Sequence, residues 1–248
     1  MKILLLDIET SPNQVYTWGL WKQNIGINQI INCGSTLCWA AKWLNNPKVM
    51  FKSQYHQSRA EMLVSIHNLL DEADVVVHYN GENFDIPTLN KEFVLEGMTP
   101  PSTYRQIDLL KTCKAQFRFV SNKLDYVAQA LGLGAKTQHK GMELWTGCMH
   151  NNPESWKTMQ EYNIQDVVLL ERLYLRLLPW IKNHPNMALY TDGTEVVCIT
   201  CGGKHINRRG FQTTNASRFQ RFRCMDCGTW MRGRLNEHDR TNLLLTAR

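Results

Sequence analysis

No stretch of this 248-residue chain approaches the roughly 20 consecutive apolar residues that a helix needs to cross a bilayer, so no membrane-spanning helix is expected. The opening run Ile3–Leu6 is too short for the apolar region of a secretion signal and turns acidic at Asp7 and Glu9, so it reads as a strand. There is no low-complexity tract and no internal repeat beyond two cysteine pairs. With no export signal the cytoplasm is the expected compartment, and its reducing conditions argue against a disulfide framework for the eight cysteines. Cys33, Cys38, Cys113 and Cys148 are scattered and read as buried thiols. Cys198, Cys201, Cys224 and Cys227 form two tight pairs and read as metal ligands. Acidic residues are scarce where basic ones concentrate. Residues 191–248 hold ten Lys/Arg against five Asp/Glu, whereas the first 190 hold eighteen against seventeen. Such an excess suits a polyanionic partner; a plain solvated basic tail is the alternative.

The patterning is that of a mixed α/β chain with a second, smaller module. In Ile3–Glu9 a period of two puts Ile3, Leu5, Asp7 and Glu9 on one face and Leu4, Leu6 and Ile8 on the other. Both faces start apolar, which predicts a central strand covered by helices on both sides. Further strands are expected at Val15–Trp18, Thr36–Trp43, Val49–Lys52 and Val75–Tyr79. A helix over Ser58–Leu70 has a capping-box spacing at Ser58 and Glu61. A second should run from Ile86 to about Glu96, and a short third through Leu131 with Ser121 or Asn122 as its cap. Ala135–Asn151 lacks periodicity and reads as a loop. Asn152 as N-cap with Pro153 behind it opens a long helix to about Leu178, which Pro179 stops. The domains expected are residues 1–182, a linker at 183–194, and a small module at 195–248 whose tail, with Leu243-Leu244-Leu245, could form a short helix.

Three acidic patterns draw attention together. Asp7-Ile8-Glu9-Thr10 places two carboxylates on one strand face, about 7 Å apart, at the end of an apolar strand. In His78–Asp85 a strand leaves the core, turns at Asn80-Gly81 and enters a helix near Asp85. Ligand sites sit at such carboxyl ends of strands, although Asp85 could simply cap its helix. In Tyr162-Asn163-Ile164-Gln165-Asp166 the tyrosine and aspartate are four apart and share a helix face. The alternative there is an aspartate on a solvated face. If Asp7, Glu9, Asp85 and Asp166 converge, each close pair repels by roughly 3 kcal/mol at an effective dielectric near 20. Hard oxygen ligands of this kind select Mg²⁺ or Mn²⁺.

The order Asp-x-Glu, Asn-x3-Phe-Asp, Tyr-x3-Asp resembles the three motifs of the DEDD exonuclease superfamily, and Tyr162 marks its tyrosine subclass, which includes the proofreading domains of family-B DNA polymerases and ribonuclease D. The stretch Lys123–Ala128, leading to Leu131-Gly132 and Lys136, is similar to the segment before the third motif in the polymerase-type members. The resemblance covers roughly residues 1–180 and implies an RNase H-like fold and a two-metal 3′→5′ exonuclease releasing nucleoside 5′-monophosphates. By position it implies that Asp7 bridges both metals, that Glu9 and Asp166 hold the ion carrying the attacking water, that Asp85 holds the second through water, and that Tyr162 orients the attacking water. Thr10 and the backbone at Ile8 would lie near the terminal 3′-hydroxyl. Phe84 would stack on the terminal base or be an ordinary core residue, and Asn80 would touch substrate or only shape its turn. No polymerase half follows, so the exonuclease is expected to be free-standing or to work in trans with a replication or repair protein.

Cys198-x2-Cys201-Gly202 and Cys224-x2-Cys227-Gly228 are matching knuckles that suit one tetrahedral Zn²⁺. A redox-active Cys-x-x-Cys needs only one pair, and His205 is a stray candidate ligand. So small a module could not fold on its apolar core alone. Around the knuckles Arg208, Arg209, Arg218, Arg221, Arg223, Arg232 and Arg234 alternate with Phe211, Phe219, Phe222 and Trp230, a zinc-ribbon pattern in which arginines hold phosphates and aromatics stack on bases. Arg221 and Arg223 are the leading phosphate contacts. The substrate expected is single-stranded DNA at its 3′ end. RNA, a catalytically silent nucleic-acid-binding protein, and a resolvase or transposase of the same fold are the competing readings. The chain could be bacterial or viral, in which case the compartment is the host cytoplasm.

Overall fold

In the computed structural model, which describes residues 1–191, 193, 195–237 and 244, the first strand sets the architecture. β1 (Ile3–Thr10) is followed by two short hairpin strands, β2 (Gln14–Val15) and β3 (Ile30–Asn32), then by β4 (Thr36–Trp43) and β5 (Met50–Ser53). Next come α1 (Arg59–Glu72), β6 (Val75–His78), α2 (Asp85–Leu95), β7 (Arg105–Asp108), α3 (Leu109–Gln116), α4 (Leu124–Ala130), α5 (Met142–Met149) and α6 (Pro153–Leu177). One five-stranded sheet runs β5-β4-β1-β6-β7. β4 lies antiparallel to β1 and to β5, while β6 and β7 continue parallel to β1. β1 is therefore central, as its two apolar faces predict.

Its alternation sorts the helices. Leu4, Leu6 and Ile8 pack with Trp39, Ala41 and Val76 against Met62, Leu63, Ile66 and Leu70 of α1 and Ile86, Leu89 and Phe93 of α2. On the opposite face Leu37 and Cys38 pack against Leu144 and Cys148 of α5 and Trp156, Met159 and Tyr162 of α6. The expected class, a mixed sheet with helices on both faces, is what the chain adopts. The capping box at Ser58 and Glu61 is formed, and Asn152 caps α6 by accepting from the Ser155 amide at 3.0 Å. A buried ion pair between Lys42 of β4 and Glu171 of α6 fixes the long helix to the sheet.

Several local expectations are corrected. The strand expected at Val15–Trp18 pairs only at Gln14 and Val15, after which the chain extends into solvent. The strand placed at Val49–Lys52 spans Met50–Ser53. The loop expected at Ala135–Asn151 contains α5. Only Leu144 and Cys148 of α5 are buried, too short a stripe to register as a period, and Gly147 looks like a breaker. That glycine instead permits contact with α6, because a Cβ there would lie 2.1 Å from the Ser155 hydroxyl. Ser121 and Asn122 do not cap α4. Its N-cap is Lys123, and Ser121 accepts from the Lys123 amide in the turn before it. β7 and α3 had no clear pattern because β7 is an edge strand with Arg105 and Gln106 exposed.

The chain divides into two compact units, Lys2–Tyr174 and Leu175–Arg248 joined by Met1. In the second, β8 (Ile206–Thr213), β9 (Arg218–Cys224) and β10 (Trp230–Asn236) form an antiparallel sheet in the order β10-β9-β8. Its small core consists of Cys198, Cys224 and Met231 with Cys201, Ile206, Phe222 and Cys227 around them. The helix expected near Leu243-Leu244-Leu245 falls outside the described residues except at Leu244.

Candidate active site

Strand alternation sends Asp7 and Glu9 to the α6 side of the sheet, where Asp166 meets them. One carboxylate oxygen from each of Asp7, Glu9 and Asp166 lies within 4.8 Å of the others. A register shift between Glu9 and Thr10 marks a β-bulge at this end of β1, a device that re-aims side chains beside a site. Asp85 arrives from the other face. It is the first residue of α2, with Phe84 as N-cap, so the capping alternative fails. Its carboxylate accepts instead from the Ile8 amide at 3.1 Å, between the two acidic residues of β1. Asp166 is buried, and the solvated-face alternative fails with it. The structure thus brings Asp7, Glu9, Asp85, Asp166 and Tyr162 to one end of β1.

The electrostatics are those of an acidic cluster short of positive charge. Burial, then the neighbouring Asp85, Glu9 and Asp166, push the Asp7 carboxyl well above its usual range. Burial and Asp166 push Glu9 up to about 7, and burial raises Asp85 to about 7. Lys136 is the one cation bonded to the cluster among the described residues, its Nζ lying 2.5 Å from Asp166 Oδ2 and 3.0 Å from the Tyr162 hydroxyl. Burial would neutralise Lys136, but Asp166 and Tyr162 outweigh it and keep the ammonium charged. The other Asp166 oxygen, Oδ1, is buried with no hydrogen-bond partner. Four crowded carboxylates with one lysine and one orphaned oxygen fit divalent cations, which would supply the missing charge and ligation. Burial and Asp166 raise the Tyr162 hydroxyl, so it stays protonated and acts as a hydrogen-bond donor.

Sequence reasoning missed several supporting groups. Asn163 is buried in the helix turn between Tyr162 and Asp166 and donates to Asp7 Oδ2 at 2.7 Å, while the Cys38 thiol sits 3.8 Å from its carbonyl oxygen. Its place inside the Tyr-x3-Asp motif was the available signal. The Trp145 side chain beside Glu9 works against the upward shift that burial imposes on its carboxyl, and His139 packs edge-on against Trp145 and Tyr162. Both come from the 135–151 stretch read as loop. The turn before α2 is also built. Asn80 is left-handed (φ 69°), its amide donates to Asp108 at 2.9 Å, and the Gly81 amide donates to His78 Nδ1 at 3.0 Å. The turn-forming reading of Asn80 is therefore sufficient for that residue. A Cβ on Gly81 would meet the His78 ring at 2.4 Å, so glycine is needed there. Phe84 is 43% exposed, which removes the core alternative. Thr10 is half-buried at the bulge.

In the second unit the four cysteine sulfurs cluster. Cys198 and Cys227 Sγ are 3.6 Å apart, and Cys201 and Cys224 are 3.7 Å apart. Sulfurs of a tetrahedral Zn–S₄ centre with bonds near 2.3 Å stand about 3.8 Å apart, so the group suits zinc. Gly202 and Gly228 after the knuckles are left-handed, at φ 73° and 83°. The amides of Thr200 and Gly203 point at Cys198 and Cys201 Sγ, each at 3.4 Å. His205 is drawn away, bonding Asp226 at 2.7 Å. The expected division between arginines for phosphates and aromatics for bases is modified. Arg218 lies 3.6 Å from the Phe211 ring centre, Arg232 4.1 Å from Phe219, and Arg221 4.4 Å and Arg223 5.7 Å from Trp230. Those rings already carry guanidinium groups.

Comparison with curated protein sequences finds no match. Among solved structures the chain resembles the family B DNA polymerase of the hyperthermophilic archaeon Pyrobaculum calidifontis, with a TM-score of 0.53 and 19% identity. The match covers 72% of this chain and 24% of the polymerase, so the likeness is one of fold over a quarter of that protein. A family model for the RNase H superfamily matches residues 4–178. These residues contain the central sheet but for Ile3 and the whole acidic cluster, and the chain belongs to the RNase H superfamily.

Proposed function

We propose that the chain is a metal-dependent 3′→5′ exonuclease of the DEDD tyrosine subclass that hydrolyses single-stranded DNA to nucleoside 5′-monophosphates. Superfamily membership and the polymerase likeness support a nuclease acting on nucleic acid. The direction and the DNA preference rest on the motif order and on the Lys123–Lys136 segment. One observation carries the reading: Asp7, Glu9 and Asp166 offer oxygens within 4.8 Å of one another, with Asp85 anchored between the first two.

Asp7, Glu9, Asp85 and Asp166 would hold two Mg²⁺ or Mn²⁺ ions, which when bound supply a water of lowered pKa and neutralise charge on both oxygens of the displacement. The chain's own groups do the positioning. Tyr162, protonated, donates a hydrogen bond that orients the attacking water. Lys136 holds Tyr162 and Asp166 in register and opposes the upward shift that burial imposes on the Asp166 carboxyl. Asn163 orients Asp7, and Trp145 orients Glu9. Phe84, exposed at the N-terminus of α2, would stack on the terminal base; Thr10 and the Ile8 backbone would lie beside the 3′-hydroxyl. We assign the catalytic domain to residues 1–182 and a zinc ribbon with its tail to 195–248, joined through 183–194. One structural Zn²⁺ would sit on Cys198, Cys201, Cys224 and Cys227, and Arg221 and Arg223 would hold phosphates.

The test is incubation with 5′-labelled single-stranded DNA, duplex DNA and RNA, with Mg²⁺ and with chelator, beside Asp7→Ala. Metal-dependent ladders shortening from the 3′ end of DNA, absent in the variant, are expected. Equal degradation by the variant removes the catalytic assignment, and preferential shortening of RNA turns the enzyme into an exoribonuclease.

A further inference from the structure

The segment between β1 and β4 is an arm with an unusual surface. Its neck is firmly made. The Ser11 amide donates to the Ser35 carbonyl at 2.8 Å, the Ser35 amide to the Ser11 hydroxyl at 3.0 Å, and the Gly34 amide to Asn13 Oδ1 at 2.6 Å. A Cβ on Gly34 would lie 2.3 Å from the Ser11 carbonyl oxygen, so the two strands approach as closely as glycine allows. β2 and β3 then pair, and the Tyr16 amide and carbonyl are both bonded to Gln29. Beyond this frame the arm presents apolar side chains to water. Trp18 is fully exposed, Trp21 is 84% exposed, and Tyr16, Leu20 and Ile27 are exposed beside them. Two tryptophans and a tyrosine on a hydrogen-bonded frame cost solubility and add nothing to the core, so a surface of this kind marks an interaction site.

Two observations identify the occupant. The arm leaves β1 at Ser11, two residues after Glu9, so it springs from the strand that carries half of the acidic cluster. Residues 10–60 contain no Asp or Glu, although the whole chain has 22, and the one charged side chain of the arm itself is Lys22. A stretch of aromatics free of acidic groups does not repel a polyanion, and its rings offer faces to any base. Trp18 is nine residues from Glu9, at most about 30 Å along extended chain, which is a span of a few nucleotides. We propose that the Tyr16–Ile27 arm is a single-strand-binding element on which bases upstream of the 3′ end stack. This rests on the nuclease reading and deepens it: the acidic end of β1 takes the terminus, and the arm takes the strand behind it. Stacking on exposed rings is indifferent to base identity, so the arm confers affinity for unpaired strands without sequence preference.

The test compares the full chain with Trp18→Ala/Trp21→Ala and with Trp18→Phe/Trp21→Phe. Binding of 5′-fluorescein-labelled (dT)4 and (dT)20 is followed by anisotropy with no Mg²⁺ or Mn²⁺ added and no chelator, so that the strands are not hydrolysed and the four-cysteine module keeps its metal. Stacking of one base on each ring predicts that the alanine pair weakens (dT)20 binding about tenfold or more, while the phenylalanine pair retains most of it. The gain in affinity from (dT)4 to (dT)20 should shrink in the alanine pair, and the slope of affinity against salt should not change, because no phosphate contact is removed. Both pairs should melt like the wild type, the side chains being free of the core. Equal (dT)20 affinity in all three proteins overturns the proposal. So does a loss of self-association by sedimentation with DNA binding intact, which would make the arm a protein interface. Failure of the metal-dependent cleavage assay would remove the underlying nuclease reading and leave this binding result standing.

Discussion

At the scale of single residues, the site depends on groups that sequence motifs do not name. Asn163 touches Asp7 at 2.7 Å and is completely buried. Groups that orient a metal-binding carboxylate typically cost 10–100-fold in metal affinity or activity when removed. Asn163→Ala should therefore lower the nuclease rate by about that factor and raise the Mg²⁺ concentration needed for half-maximal rate; a rate within twofold of wild type at low Mg²⁺ would exclude the role. The carboxylates themselves predict a pH dependence. Glu9 and Asp85 move from ordinary values of 4.5 and 3.8 to about 7 in the folded state. Between those values the native protein holds protons that the unfolded chain has released, so it loses stability as pH rises. In EDTA the melting temperature should fall by about 3 °C or more from pH 5 to pH 8, and Mg²⁺ should restore more of it at pH 8 than at pH 5. A melting temperature that rises with pH in EDTA would contradict the crowded arrangement of these acids.

At the scale of elements, legibility followed burial. β1, α1 and α6 were readable because their buried residues repeat at the period of their own geometry and bear on a core: Leu4, Leu6 and Ile8 at two, and Trp156, Met159, Asn163, Asp166 and Leu170 at three and four. Asp7, Glu9, Asp166 and Tyr162 were legible because they sit on β1 and α6, and Asp85 because it follows a strand end and opens α2. α5 and β7 were not, since each turns only two buried residues inward, and the position of Gly147 against Ser155 is a tertiary fact. His139 was hidden in irregular chain and Trp145 on α5, while Lys136 was named only through the resemblance and not as a partner of Tyr162 and Asp166. The cysteine module was readable for a different reason. Its order should come from four sulfurs at fixed spacing, with a core of only a few side chains. Wild-type protein should carry one zinc per chain by elemental analysis, and Cys224→Ser should carry well under half of that and lose the protection of β8–β10 amides from hydrogen exchange. Retained protection in a zinc-free variant would mean that the apolar core suffices.

At the scale of the whole molecule, charge is divided between the units. Residues 2–174, which contain the acidic cluster, carry sixteen basic and seventeen acidic groups, while residues 175–248 carry twelve and five. A nearly neutral unit built around four carboxylates attracts a polyanion poorly, so long-range attraction should come from the arginine-rich unit. There Arg221 and Arg223 both approach the Trp230 ring, and Arg218 and Arg232 lie over Phe211 and Phe219. A guanidinium resting on a ring is held flat with its N–H edge outward, which preorganises it for phosphate oxygens and withholds the ring from bases. On this reading base stacking would fall to the arm at Trp18 and Trp21, and phosphate neutralisation to the arginine-rich unit. Arg221→Gln/Arg223→Gln should raise KM for long single strands several-fold at 150 mM salt, leave kcat within about twofold, and reduce the slope of log affinity against log salt by about two. Trp230→Leu should do less to that slope, since the charges remain. An unchanged slope in the double arginine variant, or a fall in kcat at saturating strand with KM constant, would show that these arginines do not gather substrate.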